Sequence, residues 1–294
     1  MPMLPPEHPA PITWLAPTLP LSQPVHQTHV WWLKLAELSD PMDLRPLLSV
    51  LEQARADRYA TAQLQWHFTT IRAGLRVLLG HYCQCAPRSV EFAYLANGKP
   101  VLAAASQSAK SLHFNLSHSG DYAIYTIAPH PIGIDLEVIR PLPNALALAE
   151  RFFHPAEAAV LRSLPRSEQA LGFLRYWVCK EAYVKATGQG LAHELNQVLI
   201  DWPVSPLNSA TISQDSAQDS RYLPPNVKLT PNAKAASQPK LTLQLTWSLQ
   251  ELTPAQGLVG AIASTKQPAH DADELDLQTY SLHPLLESLS VNPD

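Results

Sequence analysis

Leu112-His113-Phe114-Asn115-Leu116-Ser117-His118-Ser119-Gly120-Asp121, then Tyr122 to Ala128, then Pro129-His130-Pro131 and Ile132-Gly133-Ile134-Asp135-Leu136-Glu137-Val138, form the stretch that decides how this chain folds. It reads as three short strands. Leu112, Phe114 and Leu116 alternate with His113, Asn115 and Ser117, and Ser119-Gly120-Asp121 supplies a turn into a second β-rich run. In the third run Ile132, Ile134, Leu136 and Val138 share one face, and Gly133, Asp135 and Glu137 share the other. A simple antiparallel meander makes the first and third strands parallel and brings Ser117 and His118 to the same sheet edge as Glu137. Two neighbouring carboxylates there admit two readings. One is an ordinary solvated strand face; the other is a site for a hard divalent cation such as magnesium.

Downstream, Glu168 to Ala186 has helical periodicity, with Leu171, Leu174, Trp177 or Val178, Ala182 and Val184 on the apolar side and Gly188-x-Gly190 at its end. Trp177, Glu181 and Lys185 are spaced by four and lie on one helical face. Glu181 with Lys185 reads either as a surface ion pair or as a metal ligand beside a phosphate-binding cation.

The remaining sequence frames this centre. A net charge of −4 disfavours nucleic acid as a main partner. Three cysteines, Cys83, Cys85 and Cys179, make no disulfide framework and suit a reducing cytoplasm. Residues 1–24 are a proline-rich arm without the basic and apolar regions of a secretory signal, and no membrane span is expected. Val30 to Leu35 reads as a buried strand. Asp40-Pro41 reads as a helix start, with Leu44, Leu47, Leu48 and Leu51 continuing the period. A longer helix runs from Thr61 to Tyr82, with Leu64, Phe68, Ile71, Leu75, Leu78 and Leu79 toward the core. Val90 to Tyr94 is a strand before an Asn97-Gly98 turn. Ala145 to Phe153 and Pro155 to Leu164 read as helices, with Glu157 a cap or surface residue. Residues 203–239 lose periodicity and are expected to form a mobile insertion. Leu241 to Leu249 and Leu258 to Ala263 read as strands around a turn at Pro254 to Gly257, and the acidic tail after Pro268 is expected to fray.

Four ordered blocks resemble the signatures of the long, pseudo-dimeric 4'-phosphopantetheinyl transferases of the surfactin-synthetase-activating type. They are Asn97-Gly98-Lys99-Pro100, Asn115-Leu116-Ser117-His118-Ser119, Gly133-Ile134-Asp135-Leu136-Glu137, and Trp177-x-x-Lys180-Glu181-Ala182-x-x-Lys185-Ala186-x-Gly188-x-Gly190-Leu191. The resemblance implies an α+β fold of two similar lobes about a pseudo-twofold axis. The arm at 1–24 would then precede an N-terminal lobe at 25–130 and a C-terminal lobe at 131–266, with the tail at 267–294.

The same resemblance implies a cytoplasmic, magnesium-dependent enzyme that moves the phosphopantetheine arm of coenzyme A to a serine of an apo-carrier protein of fatty-acid, polyketide or peptide synthesis. A monomer is expected, with no nucleic-acid or membrane partner. Carried onto this chain, Asp135, Glu137 and Glu181 surround Mg²⁺, and Glu181 draws the proton from the attacking serine. Lys185 and His118 contact the diphosphate, while Ser117 and Lys99 bind the nucleotide end. Arg55 and Arg72 are candidates for the nucleotide phosphates, and His67 stands where some relatives carry an arginine. Two rivals stay open: a magnesium-dependent phosphodiesterase or nuclease using the same carboxylates, and a carrier-binding scaffold on the same fold.

Overall fold

The computed structural model describes residues 11–38, 43–104, 112–188, 195–201, 226–229, 247–265 and 275–291. The expected helix start at Asp40-Pro41, Gly190 and Leu191, most of the 203–239 insertion, and Leu241, Leu243 and Leu245 lie outside them.

Two sheets are built from strands whose alternating apolar faces both have to be covered. The first contains β1 (Thr28–Lys34), β4 (His113–Ser119), β5 (Tyr122–Ala128) and β11 (Leu277–Ser281) in the order β11-β1-β5-β4. The second contains β6 (Ile132–Val138), β9 (Trp247–Leu252) and β10 (Leu258–Thr265) in the order β6-β10-β9. Hairpins β2 (Phe92–Tyr94) with β3 (Pro100–Leu102), and β7 (Val198–Asp201) with β8 (Asn226–Leu229), flank them.

Each sheet carries one 22-residue helix. Helix α2 (Ala62–Cys83), capped by Thr61, covers Trp31, Leu33, Tyr125 and Ile127 of the first sheet with Leu75, Leu78 and Leu79. Helix α5 (Arg166–Thr187) covers Ala261, Ala263 and Leu249 of the second with Val178, Cys179 and Ala182. The inner faces meet: Val30, Trp32 and Ile124 pack against Ile132, Ile134, Leu136 and Ile262. The layers therefore run helix, sheet, sheet, helix, an α+β architecture of two similar lobes.

Four expectations are corrected. The meander does not form, because β4 pairs antiparallel with β5 but β6 leaves to pair with β10. Chain direction survives: Asn115, Ser117 and Ser119 of β4 meet Ile134, Asp135 and Glu137 of β6 in ascending order, so the two edge strands lie parallel. Second, the period through Leu44 to Leu51 is broken. A short turn at Arg45–Leu47 precedes α1 (Val50–Ala56), which starts at a Ser49–Glu52 capping box and leaves Leu51 82% exposed. Third, Leu64 lies on the outer side of α2, 47% exposed. Fourth, the tail is ordered over 275–291: β11 pairs parallel with β1, and Leu282, Leu285 and Leu286 of the segment leading into and through α6 (His283–Val291) enter the first core.

The arm is engaged as well. Ile12 N donates to Thr253 O in the second lobe, while Leu15 N donates to Thr279 O and Leu15 O accepts from Ser281 N in the first. Trp14 stacks on Trp32 and donates Nε1 to Pro254 O at 2.9 Å. Both chain ends thus bind the lobes together. Helices α3 (Ala145–Phe152) and α4 (Pro155–Ser163) complete the second lobe. Glu157 does form the α4 capping box with His154, yet it is buried rather than on the surface.

Candidate functional site

Gly133 fixes the geometry of the centre. A Cβ built on it would lie 2.1 Å from Ala182 O and 2.4 Å from Ala186 N, so only a bare Cα lets α5 lie this close to β6. That approach brings Glu181 and Lys185, on the inner side of α5, over Asp135 and Glu137, the residues that share Gly133's face of the strand. Lys185 and Glu181 do not form the surface pair; Lys185 Nζ instead donates to Asp135 Oδ1 at 2.6 Å, Ser117 Oγ at 3.1 Å and Ile134 O at 3.3 Å.

Strand β4 supplies the opposite wall. Asn115 Oδ1 accepts from Ile134 N at 2.9 Å, and Ser119 Oγ accepts from Val138 N at 3.1 Å, satisfying edge N–H groups of β6 that no strand pairs. Ser117 Oγ donates to Asp135 Oδ1 at 2.7 Å and Ser119 Oγ donates to Glu137 Oε2 at 2.9 Å. Arg140 Nη1 takes a second bond to Glu137 Oε2 at 2.8 Å. Glu181, only 8% exposed, has a buried Oε1 with no hydrogen-bond partner. Its pKa is raised to about 7, by burial first and then by the Asp135 charge, with Lys185 opposing and Glu137 adding to the rise. Burial also holds the Asp135 carboxyl above the usual aspartate value, against the pull of Lys185 and Ser117. Among the described residues, no three His, Cys, Asp or Glu side chains converge tightly enough to ligate one ion. Asp135 is instead bonded to Lys185, and Glu137 to Arg140 and Ser119.

Each lobe carries a cavity on this side, and the one on the second lobe reaches Glu137. One of about 550 Å³ on the first lobe is lined by Arg55, Tyr59, His67, Phe68, Arg72 and His118, among others. His118 is one of its lining residues, and partial desolvation, then the Lys185 charge and His67, hold its imidazole below the ordinary value against the pull of Asp135 and Glu137. Arg55 rests over Phe68 with Cζ 5.2 Å from the ring centroid. Arg72 lies 4.1 Å over Phe92, bonds Tyr94 Oη at 3.1 Å and pairs with Glu52. His67 Nε2 is 3.1 Å from Asp121 Oδ1. The other cavity, about 200 Å³, starts at Glu137 and Arg140 and runs between Leu148, Phe152, Phe173 and Trp177 of the second lobe.

Lys99 is not with this group. Its Nζ donates to Ile132 O and to Lys185 O, the latter near the C-terminal end of α5, and it lines a separate cavity of about 370 Å³ with Leu95, His113 and Phe114. Burial, and then the Lys185 charge, lower its pKa to about 8.

Three residues that the sequence reading left without a role support the site. Glu52 receives both Arg72 and Arg76, and its capping-box partner Ser49 was the readable signal. Arg76 also donates Nη1 to Pro87 O, Arg88 O and Val90 O. Lys180, fully buried beside Glu181, pairs with Glu157 at 2.8 Å and donates to Leu195 O at 2.9 Å and to Val198 O. Glu157 in turn accepts from His154 N at 2.9 Å and Ile200 N at 2.8 Å, so α4, α5 and β7 are fixed to one another.

Comparison with known proteins is decisive at this point. Residues 131–249 match the family described as the 4'-phosphopantetheinyl transferase superfamily, and residues 42–130 match that described as 4'-phosphopantetheinyl transferase, N-terminal. The chain is 37% identical over 254 residues to the 4'-phosphopantetheinyl transferase HetI of Nostoc sp., covering 85% of this chain and 93% of that protein. It belongs to the 4'-phosphopantetheinyl transferase superfamily. Two further transferases share shorter segments. Psf-1 of Bacillus pumilus is 36% identical over 162 residues, 52% of this chain and 63% of that protein. Sfp of Bacillus subtilis is 31% identical over 141 residues, 45% and 60% of the respective chains. No helix among the described residues of this transferase is long and apolar enough to cross a membrane.

Proposed function

We propose that this transferase moves the phosphopantetheine arm from coenzyme A to a serine hydroxyl of an apo-carrier protein, releasing adenosine 3',5'-bisphosphate, at the centre formed by Asp135, Glu137, Glu181, Lys185 and His118. The observation that supports it most is Glu181: a buried carboxylate oxygen without a partner, repelled by two further carboxylates, is what a site built for a divalent cation leaves behind. The oxygen-only donor set of Asp135, Glu137 and Glu181 fits Mg²⁺, and these are the residues that would hold it. An ion held there would supply positive charge to neutralise the diphosphate and polarise its oxygens.

The chain's own groups divide the remaining work. Arg55, Arg72 and His67, with the aromatic faces of Tyr59 and Phe68, suit the phosphates and base of the nucleotide in the larger cavity. The apolar groove along Phe152, Phe173 and Trp177 suits the uncharged pantetheine arm. With its ends so held, the diphosphate lies across the carboxylates, within reach of Lys185 and His118, which stabilise the departing charge. Glu181, whose buried Oε1 has no hydrogen-bond partner within the protein, would take the serine proton directly or through a water. Ser117, held between Asp135 and Lys185, orients both at the nucleotide end of the site. Lys99 acts on the site through the end of α5.

The test is incubation with coenzyme A, Mg²⁺ and a panel of apo-carriers, following each carrier's mass and the nucleotide released. Gain of the arm on a carrier serine with matching release of adenosine 3',5'-bisphosphate is the expected result. Nucleotide release without any carrier would instead mark a phosphodiesterase.

A further inference from the structure

The acidic groups of the centre are clasped by cations belonging to the chain. Lys185 Nζ lies 2.6 Å from Asp135 Oδ1, and Arg140 Nη1 lies 2.8 Å from Glu137 Oε2. These are carboxylate oxygens that a metal would require, and an ammonium or guanidinium competes with a hard divalent ion for the same lone pairs. The third carboxylate, Glu181, has no such clasp on its buried Oε1. Because like charges so close repel, Lys185 and Arg140 are what permit Asp135 and Glu137 to stand side by side.

We propose that Lys185 and Arg140 are exchangeable counter-ions: each holds one carboxylate in the cation-free protein and passes to diphosphate oxygens when a divalent cation takes that carboxylate, so that cation and coenzyme A bind with positive coupling. The inference rests on the reading given under Proposed function. Its physical basis is the cost of an uncompensated charge in a partly buried site. A cation arriving alone evicts Lys185 from Asp135 and leaves the ammonium with Ser117 and Ile134 O. Coenzyme A arriving alone meets a Lys185 still committed to Asp135. Arriving together, the two ligands give every charge a partner, and by linkage each tightens the other by the same factor. Arg140, half exposed and screened by water, contributes less than Lys185.

The test uses Mn²⁺ as the probe, with free Mn²⁺ followed by electron paramagnetic resonance in the presence and absence of coenzyme A. Wild type is compared with Lys185→Met, Arg140→Met and, as a control for the general field, Arg151→Met, whose guanidinium rests over Phe152 on α3. Without coenzyme A, Lys185→Met should bind Mn²⁺ about tenfold more tightly than wild type, Arg140→Met roughly threefold, and Arg151→Met as wild type does. Coenzyme A should tighten Mn²⁺ binding about tenfold in wild type and several-fold less in Lys185→Met, where only the direct attraction between cation and diphosphate remains. Exchange is refuted if both clasp variants bind Mn²⁺ no better than wild type, or if Arg151→Met improves binding equally. A wild-type protein that takes up no Mn²⁺ under either condition would remove the metal assignment itself, and the exchange with it.

Discussion

Glu181 and Lys185 stand one helical turn apart and do not pair, because each has a stronger claim elsewhere: Lys185 on Asp135, Glu181 among carboxylates that repel it. Helical spacing alone was enough to put both residues on one face with Trp177. It could not choose their partners, since that choice depends on a strand some fifty residues away in the chain. Lys99 shows the same limit, its glycine turn being readable and its target, the carbonyl of Lys185, not. Glu52 has no role in a reading that starts the helix at Asp40-Pro41 and passes over the Ser49-x-x-Glu52 cap, yet inside the fold it neutralises two arginines. Burial pushes its pKa up, but bonds from Arg76 and Arg72 and from the Ser49 backbone outweigh burial and leave it lowered. A carboxylate with a depressed folded pKa stabilises the protein fully above its unfolded pKa, and that contribution is lost as pH falls through the folded value. Glu52→Gln should therefore cost about 3 kcal/mol near neutrality. In urea titrations its deficit relative to wild type should shrink as the pH drops below the ordinary glutamate range; a deficit that stays constant into acid would show that the charge is not what Glu52 supplies.

At the scale of elements, period-two alternation correctly separated the two faces of β6, helical period marked α2 and α5 to within about two residues, and Gly188 marked the end of α5. Pairing was not legible. Adjacent strands pair by default, and β6 breaks that default because its apolar face fits a second sheet, leaving β4 to meet it through Asn115, Ser117 and Ser119 side chains. The join works only while α5 lies flat on β6, and Gly133 is the position that permits it. Gly133→Ala must displace helix backbone rather than a flexible side chain. It should lower stability by about 2 kcal/mol or more and reduce transfer by more than the loss of folded protein explains. Thermal unfolding and activity per folded molecule, measured together, check this; an alanine variant with wild-type values in both would mean that α5 does not need the close approach.

Across the whole molecule, similar lobes are held by a shared apolar seam and by both chain ends. The tail was expected to fray because a polar, acidic stretch carries little hydrophobic period, and the order of 275–291 comes from the β1 edge and a pocket in the first core. Deleting 275–294 would uncover the β1 edge and empty the places of Leu282, Leu285 and Leu286, each contributing about 2 kcal/mol by burial. The truncated chain should be insoluble or unfold at markedly lower denaturant, as equilibrium unfolding would report, and a truncated chain as stable as the full one would contradict the arrangement. The same convergence brings Ser117 of β4, Asp135 and Glu137 of β6, and Glu181 and Lys185 of α5 to one centre, where the proposed reaction would place the diphosphate. The most direct measurement is carrier loading by Glu181→Gln at saturating coenzyme A and Mg²⁺, with coenzyme A affinity measured in parallel. The account predicts a transfer rate lower by at least about a hundredfold, with coenzyme A binding within a few-fold of wild type. Loading at the wild-type rate would contradict it.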